Sequence, residues 1–235
     1  MDNNAGCVIC GCELVYSQMP KNLTCSYCGD TYLENVECSQ GHFVCNRCHS
    51  ADANDLTQRF CENTALSNPI EMATQLMQHP ALKMHGPEHH YLVPAVLLST
   101  YYNLKNTPDI KREKLTLARQ RAEKIPGGFC GSHGNCGAGV GTGIFYSLIT
   151  ETTPLSGKSW QQSNLLTGTC LVAIAKKGGP RCCKRDTYTA INIAVDFVKE
   201  NLNITLPTTR KIICDFQSHN KQCLGNACAY FEASR

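Results

Sequence analysis

From residue 68 onward, apolar residues recur at helical spacing along the chain. Asn68-Pro69-Ile70-Glu71 has the order of an N-cap, a first-turn proline and a capping-box acid. Ile70, Ala73, Leu76 and Met77 then fall on one face, and Pro80 closes this first predicted helix. A second is predicted from Pro94 to Leu104, with Leu97, Leu98, Tyr101 and Leu104 on one side. A third starts at Thr107-Pro108. It carries Ile110, Leu117, Ala118, Ala122 and Ile125 as a stripe and stops at Pro126-Gly127-Gly128. A Gly-rich helix is predicted over about 137–149. Ser159 with Gln162 reads as the capping box of a helix running to Ala175, ended by Lys176-Lys177-Gly178-Gly179-Pro180. Cys182-Cys183 opens the last long helix, with Ile191, Ala194, Val198 and Leu202 on its buried face. A strand-like run, Lys211-Ile212-Ile213-Cys214, precedes a cysteine-bearing tail.

The first 50 residues read differently. They hold short β-like pieces (Thr31-Tyr32-Leu33 and His42-Phe43-Val44) and little apolar periodicity. The expected fold is therefore mostly α: a helical Cys-rich domain over 61–235, preceded by a small β-rich module over 1–60. A module that short buries little surface, and metal bonds commonly supply the missing stability.

Composition narrows the function classes. Of 235 residues, 42% are hydrophobic and 17% charged, which supports a packed core and argues against wholesale disorder. A net charge of +3 gives no general case for nucleic acid. No apolar run reaches membrane-spanning length, and Met1-Asp2-Asn3-Asn4 lacks the features of a signal peptide. The expected location is cytoplasmic, with no membrane partner. Seventeen cysteines in such a compartment point to metal or redox chemistry rather than a disulfide framework.

The cysteine spacing says where. C-x2-C pairs occur at Cys7/Cys10, Cys25/Cys28 and Cys45/Cys48, with Cys38 and His42 between the last two. Two ligands on one tight turn suit tetrahedral zinc, so two zinc ions are expected among Cys7, Cys10, Cys25, Cys28, Cys38, His42, Cys45 and Cys48. The order from Cys25 to Cys48 resembles the first six ligands of RING-type cross-brace fingers. That resemblance implies one zinc on Cys25, Cys28, Cys45 and Cys48. The final C-x2-C of that family is missing, since only Cys61 follows. Cys7 and Cys10 can complete a second site with Cys38 and His42, and Cys12 is a spare ligand. Pairing by sequential neighbours (7/10/25/28 and 38/42/45/48) is the rival. Such modules are structural or bind a protein partner.

A second cysteine set is the expected seat of chemistry. Cys130, His133 and Cys136 precede a helix start, as do Cys182 and Cys183, and helix N-termini favour thiolates. These five are the candidate catalytic residues. Cys214, Cys223 and Cys228 are the candidate cofactor ligands, and the three segments could converge on an iron–sulfur cluster, on a third zinc, or as inert packing thiols. Cys170 reads as core. The glycines at 137, 139, 141 and 143 match no phosphate-loop spacing and read as close helix packing. His85-Gly86-Pro87-Glu88-His89-His90 is either loop capping or a metal or proton-transfer site. Lys176, Lys177, Arg181, Lys184 and Arg185 read as a solvated basic face, with an anionic substrate or nucleic acid as the sharper option.

Met84–His90, Gly127–Gly137, Gly179-Pro-Arg-Cys-Cys183 and Asn220-Lys-Gln-Cys223 resemble an uncharacterised family of Cys-rich proteins from methanogenic archaea and anaerobic bacteria. The resemblance spans roughly residues 65–232 and implies an anaerobic cytoplasm. A shorter stretch around Cys136-Gly-Ala is similar to a redox family built on Cys-Gly-Cys-Ala motifs. Three functions compete: a redox or sulfur-handling metalloprotein, a zinc-finger adaptor for protein or nucleic acid, and a metal-dependent hydrolase or lyase using His85, Glu88, His89 and His133.

Overall fold

The computed structural model describes residues 7, 9–10, 12–45, 48, 52–209 and 211–233. Met1–Asn4, where the sequence was read for a signal peptide, lies outside them. A β-hairpin stands at the N-terminal side: β1 (Leu14–Thr24) pairs antiparallel with β2 (Thr31–Cys38), from Leu14 opposite Cys38 to Thr24 opposite Thr31. The register slips between Tyr16 and Lys21. A two-stranded ribbon is marginal in water, and this one leaves Tyr16, Met19 and Leu33 more than two-thirds exposed.

Helices follow: α1 (Ala53–Asn63), α2 (Pro69–Gln78), α3 (Glu88–Lys105), α4 (Pro108–Ala122), the single turn α5 (Phe129–Ser132), α6 (Gly137–Ile149), α7 (Lys158–Lys176) and α8 (Cys183–Leu202). The mostly-α fold is what the periodicity called for. The Asn68 cap is present: its Oδ1 accepts from the Ile70 and Glu71 amides, with Pro69 in the first turn. Asp52 does the same for α1, a helix that the sequence reading did not anticipate. Because Leu56, Phe60 and Cys61 are buried and Ser99 Oγ donates to the Cys61 carbonyl, α1 runs across residue 60 and belongs to the helical packing.

α3 is the central element, packed against α1, α2, α4, α6 and α8. It starts six residues before the expected Pro94 and contains that proline. Pro94 has no N–H, so the His90 carbonyl loses its helical donor. α6 crosses there on glycine: a Cβ at Gly141 would meet Pro94 Cδ at 2.8 Å and the His90 carbonyl oxygen at 3.1 Å. Gly139 and Gly143 face Leu171 and Thr167 of α7 in the same way, so the predicted packing role of these glycines holds.

Other expectations shift. α3 is buried nearly all round, so its one-sided stripe was too narrow, and Leu104 and Ile110 are exposed. On α4 the inward positions include Lys111, whose Nζ donates to Asn103 Oδ1 and the Thr64 carbonyl. Ser159 does not cap α7, which begins at Lys158 after Gly157 with no side-chain cap. Neither His42–Val44 nor Lys211–Cys214 forms a strand. The tail beyond Leu202 is irregular, with two 3-10 turns at Gln217–His219 and Gly225–Ala227.

Candidate metal centres

The hairpin carries a four-donor group at each end. Cys7 and Cys10 precede β1, Cys38 ends β2, and His42 follows a turn that needs the positive φ of Gly41. One donor atom of each lies within 4.8 Å of all the others. Cys10 and Cys38 sulfurs are 3.7 Å apart, and His42 Nδ1 is 3.3 Å from both. At the other end, Cys25 and Cys28 sit in the connection between the strands, where Gly29 takes positive φ. Cys45 and Cys48 reach across to complete the group. Cys28 and Cys45 sulfurs are 3.8 Å apart, and all four residues are buried.

These separations are those of a single tetrahedral ion: with metal–sulfur bonds of 2.3 Å, two ligand sulfurs stand about 3.8 Å apart. The pairing is interleaved (7/10/38/42 and 25/28/45/48), not sequential. Backbone amides prepare the sulfurs. Ile9 N–H points to Cys7 Sγ, those of Gln40 and His42 to Cys38 Sγ, and that of Cys45 to Cys25 Sγ. Burial raises the Cys38 and Cys45 thiols, but the His42 and Gln40 amides at Cys38, and the Cys48 amide with Tyr32 at Cys45, outweigh it and hold both near 7. Cys48 is pushed far up, first by burial and then by charge on Cys25, Cys45 and Cys28. Four sulfurs this close cannot all ionise unless a cation sits among them, so the donor sets fit a metal. Cys12 belongs to neither group, and Cys61 lies in the core with its thiol raised by burial.

The second cysteine set does not converge on one point. Cys130 is half-buried on α5, and the exposed His133 ring stacks on Phe129 at 4.1 Å with Nδ1 against Ser132 Oγ. Cys136 and Cys183, at the starts of α6 and α8, both feel the charge of the buried Asp186. Each thiol is pushed up to about 11, first by burial and then by the Asp186 carboxylate for Cys136, with the Gly86 amide opposing for Cys183. Burial thus defeats the expected thiolate-favouring helix ends. Cys182 faces elsewhere. With Cys214, the exposed Cys223 and Cys228 it lines a small cavity of about 20 Å³, walled by Tyr188 and Phe216. Among the described residues, only the two hairpin groups have the close geometry of a mononuclear site. Cys170 is buried core, as expected.

The histidine constellation is tied into the backbone. His89 and His90 Nδ1–H groups donate to the carbonyls of Gly86 and Ile125, and Glu88 accepts the Lys83 amide. His133 is in no group with them. The basic run is not one face either. Lys184 and Arg185 are buried: Lys184 Nζ donates to the Met77 and Leu82 carbonyls, while Arg185 pairs with Asp186 and donates to the Gly178 and Pro180 carbonyls. Sequence reasoning took these two for solvated charges, and their neighbourhood in α8 gave no sign of burial. A cleft of about 560 Å³ runs between Cys10 and the α2–α3 connection, reaching His79, Lys83 and His219. Its Met84 and Phe216 also wall the cysteine cavity.

No helix among the described residues is long and apolar enough to cross a membrane. The family described as "Family of unknown function (DUF5714)" matches residues 57–231. No curated protein and no solved structure matches the chain.

Proposed function

We propose that this chain, which belongs to the DUF5714 family, is a zinc-stabilised metalloprotein whose helical unit performs redox or sulfur chemistry at a thiolate-bound iron–sulfur centre. The observation that carries the metalloprotein reading is the pair of interleaved four-donor groups, with sulfur separations of 3.7 and 3.8 Å. One set is three thiolates and an imidazole, the other four thiolates. Each is closed, with no place for substrate, as structural zinc sites are. The zinc ions hold the hairpin, and chemistry belongs to the helical unit, where thiols gather again without closing on one ion.

Analysis of anaerobically purified protein for zinc, iron and acid-labile sulfide tests this. Two zinc ions per chain, plus iron matched by sulfide, are the expected result. A chain with no firmly held zinc, or with zinc unaffected by Cys28→Ser, overturns the structural part. A colourless, iron-free protein that stays so after anaerobic reconstitution overturns the redox part.

A second reading, that the module docks a protein partner in a cytoplasmic complex, is favoured by the exposed Tyr16, Met19 and Leu33 on the hairpin. Apolar side chains projecting from a metal-braced ribbon form a contact surface. Replacing all three by serine should then abolish partner capture while leaving zinc content unchanged. Unchanged capture counts against docking through this surface. Nucleic acid is a weaker partner on this geometry, because two of the five basic residues are buried and paired.

A further inference from the structure

We infer that Cys182, Cys214, Cys223 and Cys228 are the four ligands of a polynuclear iron–sulfur cluster, and that Cys130, Cys136 and Cys183 are not ligands. This rests on the reading of the helical unit as the seat of a thiolate-bound centre and says which thiols make it.

Four observations lead to this set. First, these four cysteines come from separate segments, the start of α8 and three points on the tail, yet line one small cavity, with Cys182 buried and Cys223 exposed. Second, their sulfurs are prepared as those of the hairpin groups are. Phe216 N–H points to Cys214 Sγ and Gly225 N–H to Cys223 Sγ, each at 3.4 Å and each two residues on. The same i+2 amide contact occurs at Cys7 and Cys38. Cys182 Sγ receives the side-chain amide of the buried Asn220 at 3.6 Å. An amide hydrogen bond to sulfur stabilises a ligating thiolate and tunes the metal it binds.

Third, the tail is irregular apart from two 3-10 turns, yet it is anchored on the helices: Phe216 and Asn220 are buried, Tyr230 packs edge-on to Tyr188 with its hydroxyl against Thr189 Oγ1, and Lys184 Nζ lies over the Phe216 ring. These anchors bring its three cysteines to the same cavity as Cys182.

Fourth, the spacing selects the kind of centre. The hairpin sulfurs already stand at the separation of ligands on one ion, and the cavity sulfurs do not form such a group. A cluster places iron atoms and bridging sulfides between its thiolates and holds them further apart than one ion does. Tyr188 and Phe216 wall the cavity on one side, while Cys223 is exposed to solvent. Binding four thiolates releases four thiol protons, or fewer where a thiol is already ionised.

The test uses the full chain, reconstituted anaerobically with sulfide and a mixture of ferric and ferrous iron, which supplies the mixed-valence irons of a cluster without a further oxidant. It is read by visible thiolate-to-iron absorption, by electron paramagnetic resonance after reduction, and by iron and zinc content. Cys214→Ser and Cys223→Ser should lose nearly all the iron and the visible absorption, while keeping wild-type zinc content and helical circular dichroism. Cys130→Ser, Cys136→Ser and Cys183→Ser should retain both iron and absorption. If the absorption survives in Cys214→Ser and Cys223→Ser but disappears in Cys136→Ser or Cys183→Ser, the ligand assignment is overturned while the broader reading stands. If the wild type takes up no iron, both fall. A third zinc ion that is lost in Cys214→Ser would overturn the cluster and leave only the four ligands.

Discussion

His89 shows how burial sets the chemistry of a single side chain. The ring is fully enclosed. Nδ1–H is satisfied by the Gly86 carbonyl, and Nε2 has no hydrogen-bond partner among the described residues. Burial first, and then the charge of Lys184, holds its pKa down to about 3. The unfolded chain therefore takes up this proton near pH 6.5, while the folded chain resists it to about 3. Stability from this residue is complete above pH 6.5 and is lost as the pH falls between the two values. At pH 5 the loss is about 2 kcal/mol, from one and a half pKa units at about 1.4 kcal/mol each. Urea unfolding of wild type and His89→Gln at pH 7 and pH 5 should show a drop about 2 kcal/mol smaller in the variant. Acid release of zinc acts on both proteins and cancels in the comparison; equal drops would show that His89 is not the sensor. The sequence placed this histidine in a loop that could cap or catalyse, and the structure ties it into the backbone. Residue type and spacing say that an imidazole is present, but solvation, which decides its role, depends on helices distant in sequence.

At the scale of elements, the α3–α6 crossing is the most constrained contact. Gly141→Ala puts a methyl group within 3.1 Å of a backbone carbonyl and 2.8 Å from a proline ring, neither of which can move aside cheaply. Overpacking of this kind costs about 1–3 kcal/mol, so thermal unfolding of Gly141→Ala should occur several degrees lower. Gly168→Ala, where a methyl meets open space on α7, should not destabilise the protein and serves as the control. A milder loss of about 1 kcal/mol is expected for Asn68→Ala, which removes the α2 cap. These elements were unevenly legible. The Asn68 cap and the four-residue glycine spacing are local signals, and both were readable. The start of α3 was not, because Pro94 looks like a first-turn proline when nothing shows that Gly141 will relieve the crowding. α7 began earlier than its Ser159–Gln162 pattern suggested, since no side chain caps it. For the metal ligands, spacing gave the donors, and interleaving followed once Cys38 and Cys10 lay at the same end of the hairpin.

Across the whole molecule, stability comes from two sources. The helices share a core centred on α3, whereas the hairpin carries a four-donor group at each end and reaches that core chiefly through Tyr27, packed on Phe60 and His79. Removing metal with a strong chelator should therefore release hydrogen-exchange protection across residues 14–38 while protection in α3, α6 and α8 persists. Loss of protection everywhere at once would show one cooperative unit instead. The second cysteine set was legible only as a population of thiols. Its partition among a surface turn, an Asp186 neighbourhood and a small cavity depends on how α8 and the tail fold back, which no local spacing encodes.

The hairpin has one further consequence. β2 stands between its two donor groups, and no ligand is shared between them. Bridged metal pairs lie about 3.5–4 Å apart, and an eight-residue strand keeps these sites well beyond that. Cobalt placed in both sites would give two electron spins that ignore each other, with a susceptibility equal to the sum of two isolated ions.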